Sequence, residues 1–182
     1  MTQAIKLNRI TSPVIAMKMI KERTHFANYD DGHYDAGMNF LSTLGEYSNT
    51  HPTARGAIVE FEWEGNVSQP LKPSCTTHHT PNVLYDFNGS GEHFQNNDPR
   101  YFLPYGSDGL IIKKVTLEKK YNKQEIVSDW CNYKKGMHGI LCKVPFMQNK
   151  IFSLFMNDLE KINENLLSET ITISVRKGKS AL

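Results

Sequence analysis

The chain of 182 residues has no apolar run near the ~18 residues a helix needs to cross a bilayer. Its start, Met1-Thr2-Gln3-Ala4-Ile5-Lys6, lacks the long apolar stretch of a secretory signal. The reading is of a cytoplasmic protein with no membrane partner. Cysteine is scarce. Cys75, Cys131 and Cys142 are odd in number and far apart, which argues against a disulfide framework and for reduced thiols. Also missing are a glycine-rich phosphate loop, a G-x-S-x-G elbow, an H-E-x-x-H pair and a paired C-x-x-C. Those absences remove the most easily read nucleotide, hydrolase and zinc-ribbon assignments.

What is present suits one domain with a real core, because the length is too short to expect two. Hydrophobic residues at 39% and charged residues at 22% argue against wholesale disorder. The formal charge of +2 conceals an asymmetry. Residues 1–91 carry 7 basic and 9 acidic side chains, a balance of −2, whereas residues 92–182 carry 14 and 10, a balance of +4. The basic excess lies in Lys113-Lys114, Lys119-Lys120, Lys123 and Lys134-Lys135. Such a face could guide an anionic ligand or nucleic acid, but the charge balance alone favours a solvated lysine surface.

Local patterns give the elements. Residues 5–11 read as a short strand, after which Ser12 caps a helix that starts at Pro13 and runs to about Arg23. Four-residue spacings of Ile15, Met19 and of Ala16, Ile20 give that helix an apolar side. Residues 27–37 read as a loop and residues 37–43 as a second short strand. In residues 56–64, Ala57, Val59, Phe61 and Trp63 alternate with Glu60, Glu62 and Glu64, the clearest strand pattern in the chain. Residues 65–109 are loop-heavy and hold Pro70, Pro73, Pro81, Pro99 and Pro104. Strands follow at 110–118 and 139–144. A helix over 147–167 has a stripe of Ile151, Leu154, Phe155, Leu159, Ile162 and Leu166, and a closing strand covers 170–175. Strands and helices mix without a βα repeat. The expected class is α+β, a single domain with a mixed or antiparallel sheet core and flanking helices.

Three groups bear chemistry. Cys75-Thr76-Thr77-His78-His79, with His93, contains zinc-ligand types, but a second half at ligand spacing is missing. Glu60 and Glu62 share a strand face, as paired acid and base would, and as the solvated side of any half-buried strand would. The third group is Arg9-Ile10-Thr11-Ser12, Phe40-Leu41-Ser42-Thr43 and Gly106-Ser107-Asp108-Gly109. Ser12 is explained by capping, Phe40 by core packing and Asp108 by turn formation. Arg9 is not, because an Arg within a strand needs a partner.

Together these segments resemble the ADP-ribosyltransferase superfamily over roughly residues 5–118, leaving residues 119–182 as a C-terminal part. Arg9-Ile10-Thr11-Ser12-Pro13 is similar to the family's first strand, and Phe40-Leu41-Ser42-Thr43 to its second. Residues 57–67 and Tyr105-Gly106-Ser107-Asp108-Gly109-Leu110-Ile111-Ile112 resemble the small rifampicin-modifying members. The resemblance implies an NAD-dependent transfer of ADP-ribose to a protein or nucleic-acid acceptor, as in a bacterial or phage effector or toxin. It implies Asp108 as the acid that stabilises the ribosyl cation, and Arg9 as the clamp on ribose or pyrophosphate. Thr11 and Ser42 would hydrogen-bond nearby, and Phe40 or Tyr105 would stack on nicotinamide. Gly106 stands where a second acid would lie, and the acid is Asp rather than Glu, so the acceptor is not specified. The alternative is a non-catalytic inhibitor or binding protein that docks on a protein or nucleic acid through the lysine-rich half.

Overall fold

Alternation in Ile5–Thr11 produces strand β1, with Leu7, Arg9 and Thr11 buried on one face. The computed structural model describes residues 4–27, 38–42, 56–68, 80–86, 100–104, 106–117, 123–134, 140 and 144–177. Ser12 ends β1 and caps α1 (Pro13–Glu22), its Oγ accepting the Ile15 N–H at 3.2 Å. Arg23 closes α1 in the left-handed conformation, its N–H reaching back to the Ile20 and Met19 carbonyls. Ala16, Met17 and Met19 face the core, while Ile15 lies outward at 38% exposure. The core side is therefore rotated from the expected one, with Met17 in the place expected of Ile15.

Two four- and five-residue strands follow, β2 (Thr24–Ala27) and β3 (Met38–Ser42). Strand β4 (Ala57–Trp63) keeps the expected alternation, Ala57, Val59, Phe61 and Trp63 being buried. Gly65 follows because a Cβ there would overlap the Trp63 ring, whose Nε1–H donates to the Asn66 carbonyl at 3.1 Å. The stretch expected to be loop contains three short strands, β5 (Asn66–Ser68), β6 (Val83–Asp86) and β7 (Arg100–Pro104). They escape detection because three to five residues between turns and prolines are too few to display a period.

Strand β8 (Leu110–Leu117), helices α2 (Lys123–Lys134) and α3 (Gln148–Ser168), and strand β9 (Ile171–Lys177) complete the described elements. A 3₁₀ turn at Pro145–Met147 leads into α3. The strand expected over 139–144 falls largely outside the described residues, and the two that are described are not in a strand, Ile140 being helical and Val144 in a bend. On α3, Ile151, Phe155, Leu159 and Leu166 are buried as the stripe requires, whereas Leu154 faces solvent.

The described strands form one mixed sheet in the order β2-β9-β8-β4-β1-β3-β7-β6-β5. Neighbours are antiparallel except β2 with β9 and β5 with β6. The class is mixed α+β, as expected. A bulge between β4 and β8 skips Lys113, so Glu60 pairs with Lys114 and Phe61 with Ile112. It lets Lys113 and Lys114 both face water while Ile112 and Val115 stay buried.

Beyond the bulge β9 no longer pairs with β8, whose matched residues end at Ile112. Asn163 of α3 takes over. Its Nδ2 donates to the Val115 carbonyl at 2.8 Å and its Oδ1 accepts the Val115 N–H at 2.9 Å. One side-chain amide thus supplies both bonds that a neighbouring strand would.

Cys131, buried near the end of α2, is disulfide-bonded, which corrects the expectation of reduced thiols. Its partner, Cys75 or Cys142, lies outside the described residues. Sequence spacing says nothing of which thiols the fold brings together. Among the described residues, no helix is long and apolar enough to cross a membrane.

Candidate functional site

Arg9 sits on the core-facing side of β1, in register with Val59 of β4 and between the buried Leu7 and Thr11. Only 9% of it remains exposed. Its Nη1 donates to His25 Nε2 at 2.9 Å. Guanidinium carries donors only, so this nitrogen of His25 must accept, and the ring is neutral with its proton on Nδ1. The His25 ring in turn stacks on Phe61, with centroids 6.0 Å apart and planes within 5°.

That contact requires a strongly curled sheet. Strands β9, β8 and β4 separate β2 from β1 in the hydrogen-bonded order. At the usual strand spacing, a flat sheet would hold β1 and β2 roughly 19 Å apart. The curl instead lays His25 over the face of β4 and against Arg9. Burial pushes the Arg9 guanidinium down to about 10, which leaves it a cation at neutral pH. Sequence reading found Arg9 and missed His25. The four residues Thr24–Ala27 carry no visible period, and nothing local marks His25 as the partner of a residue in another strand.

Strand β3, carrying Phe40 and Ser42, is the antiparallel neighbour of β1, with Asn8 opposite Ser42. On its far side Ser42 is opposite Arg100 of β7, and Phe40 is opposite Phe102. Asn8, Ser42 and Arg100 thus form one row across three strands. Arg100 is a strand cation that nothing local in the sequence singles out. Thr11 is buried at the end of β1, and the buried Ser12 is engaged as the cap of α1. Tyr105 lies outside the described residues.

Asp108 belongs to a different environment. The turn before β8 is pinned to β9, since the Gly106 N–H reaches the Val175 carbonyl at 2.8 Å and the Ser107 carbonyl accepts the Val175 N–H at 2.7 Å. Gly106 and Gly109 have φ values of 86° and 92°, the left-handed region that glycine enters without strain. Asn82 fastens the turn from the other side, its N–H donating to Ser107 Oγ and its Oδ1 accepting the Asp108 N–H, each at 2.8 Å. The Asp108 carboxylate is 64% exposed and meets Arg176 Nη2 at 3.3 Å.

Arg176 follows the fully buried Val175 on β9 and is itself exposed. Alternation therefore sets it on the outer face, opposite to the face that carries Val175. His25, which holds Arg9, is in register with Val175 and buried with it. The Asp108 carboxylate and the Arg9 guanidinium thus lie on opposite faces of the sheet margin. The fold joins β1 to β3 and does not add Asp108 to that pair.

The glutamate pair resolves simply. Glu62 accepts a 3.1 Å ion pair from Lys113, and Glu60 lies opposite Lys114, so the glutamate face is a charge-matched outer surface. Cys75, His78, His79 and His93 lie outside the described residues. Among the described residues, no three His, Cys, Asp or Glu side chains gather as a metal site would require. Comparison with known proteins finds no family model, no curated protein and no solved structure that matches the chain.

Proposed function

We propose that this chain transfers ADP-ribose from NAD to a protein or nucleic-acid acceptor, in the manner of an effector or toxin. One observation carries the reading. Strands β1 and β3, which bear the two segments resembling an ADP-ribosyltransferase, are antiparallel neighbours, with Asn8 opposite Ser42. A persistent cation, Arg9, adjoins that point of contact. In this reading Phe40 and Ser42, on the face of Asn8, belong to the nucleotide-binding wall, whereas Arg9 and Thr11 fall on the opposite, buried face of β1, where the charge of Arg9 supports that wall from behind.

The reaction breaks the bond between the nicotinamide nitrogen and ribose C1′, and nicotinamide leaves with the electron pair. An acceptor nucleophile bonds to C1′ and gives up its proton. Positive charge grows on the sugar, so a nearby carboxylate lowers the barrier. Asp108, the acid that the resemblance implies for that role, is paired with Arg176 in a turn fastened to β9 and Asn82, outside the β1–β3 pair.

The alternative reading, docking through the lysine-rich half, draws less support. Lys113 is held by Glu62, while Lys123 hydrogen-bonds Asn149 at 2.6 Å and lies over the Phe152 ring. Incubation of the purified protein with labelled NAD and a cell lysate tests the proposal. Label is expected on a macromolecule with the wild-type chain and falls in Arg9→Met. Failure of the wild-type chain to bind or consume NAD removes it.

A further inference from the structure

Helices α1, α2 and α3 leave a hollow of about 330 Å³ where they meet, away from the β1–β3 pair. Its floor is apolar, formed by Met17 and Ile20 of α1, Trp130 of α2 and Ile162 of α3. Ile20 and Ile162 are only half-buried although they face this junction. The hollow therefore leaves apolar surface open to water, and burying such surface favours an occupant. Trp130 does not swing out to close the gap, because its buried indole is packed T-shaped with Phe155, centroids 5.1 Å apart.

The rim is polar and unequal in charge. Lys21 and Lys161 contribute two ammonium groups, against one carboxylate from Asp158. The excess is one positive charge at the mouth of an aromatic-lined hollow. A volume of this size lies at the small end of ligand sites, which pair apolar walls with a few polar groups. We propose that this hollow binds a small planar aromatic anion, with the ring against Trp130, Ile20 and Ile162 and the acidic group between Lys21 and Lys161.

The two requirements, a flat apolar body and one negative charge, are separable. The probe is 2-naphthoate, with 2-naphthylmethanol as the neutral analogue and hexanoate as the non-aromatic anion. The readout is the indole N–H signal of Trp130 in two-dimensional NMR. Trp63 serves as an internal reference, because its indole is committed to Asn66. The naphthoate is expected to shift the Trp130 signal saturably with a Kd below about 1 mM, leaving Trp63 unmoved. Both analogues are expected to bind at least tenfold more weakly. The exposed pair Lys21→Glu and Lys161→Glu is expected to weaken naphthoate at least tenfold while the circular dichroism spectrum stays unchanged, and the single variant Lys161→Gln to weaken it in the same direction. A Trp130 signal that does not move, an analogue that binds as tightly, or lysine variants that bind as tightly each overturn the proposal. NAD turnover is not part of this test, so its outcome is independent of the proposed transferase activity.

Discussion

The guanidinium of Arg9 and the imidazole of His25 meet at 2.9 Å inside the protein, although three strands separate their own strands in the sheet. One member is a cation and the other must be neutral to accept from it. Folding tolerates this arrangement at a cost. The depression of Arg9 from its ordinary value to about 10 corresponds to a desolvation penalty on the order of 3 kcal/mol.

Replacing Arg9 with Met removes that penalty along with the bond to His25. Stability is expected to stay within about 2 kcal/mol of wild type, instead of falling as it does when one partner of a buried pair is lost. His25→Ala is the contrasting change, since it keeps the buried charge and deletes both its acceptor and the ring on Phe61. It is expected to cost about 3 kcal/mol or more. Urea denaturation of both variants checks the asymmetry, and equal losses would count against it.

The pH dependence has a definite sign. The folded-state value of Arg9 lies below the unfolded one, so the penalty is fully present below about pH 10 and fades as the folded chain releases the proton above it. The stability difference between wild type and Arg9→Met is expected to be flat from neutral pH to about pH 9. Above about pH 10 it should shift in favour of wild type. Denaturant titrations at a series of pH values measure this difference directly.

Asn163 replaces a missing strand at Val115, so Asn163→Leu leaves a backbone donor and acceptor without their partner amide. The expected loss is about 2–4 kcal/mol, from two bonds whose backbone ends are left behind. Hydrogen exchange at the Val115 amide should accelerate in the variant. Unchanged protection would show that Asn163 is not what holds that edge.

The disulfide at Cys131 leaves one thiol among three cysteines. Titration of the denatured, unreduced protein with a thiol reagent is expected to find one reactive group. Cys131→Ser is expected to lower stability by about 2–4 kcal/mol. Three reactive groups would contradict the bond.

Much of the fold is legible in the chain, and the reasons are particular. Strands β1, β4, β8 and β9 and helices α1 and α3 are long enough to display a period, and Ser12-Pro13 states where α1 begins. Even the break in alternation at Lys113-Lys114 has a local cause, the bulge opposite Glu60 and Phe61. Strands β2, β5, β6 and β7 are three to five residues long and gain their identity from neighbours distant in the chain. The site is legible to the same degree. Arg9 stands out as a strand cation. Its partner His25, and the separation of Asp108 from both, follow from sheet curl and from the face on which Arg176 lies, neither of which any local pattern encodes.

Asp108 gives a clean division between folding and chemistry. Its ion pair with Arg176 is exposed and is worth no more than about 1 kcal/mol, so Asp108→Ala should melt close to wild type. Any large change in this variant's activity is then chemical.

Transfer of label from NAD to macromolecules in a lysate, compared between wild type and Arg9→Met at matched stability, is the most direct measurement. The account predicts transfer by wild type and a fall of at least about tenfold in the variant, from loss of the cation behind the β1–β3 pair. Equal labelling by the two proteins, or no NAD binding by wild type, would contradict it.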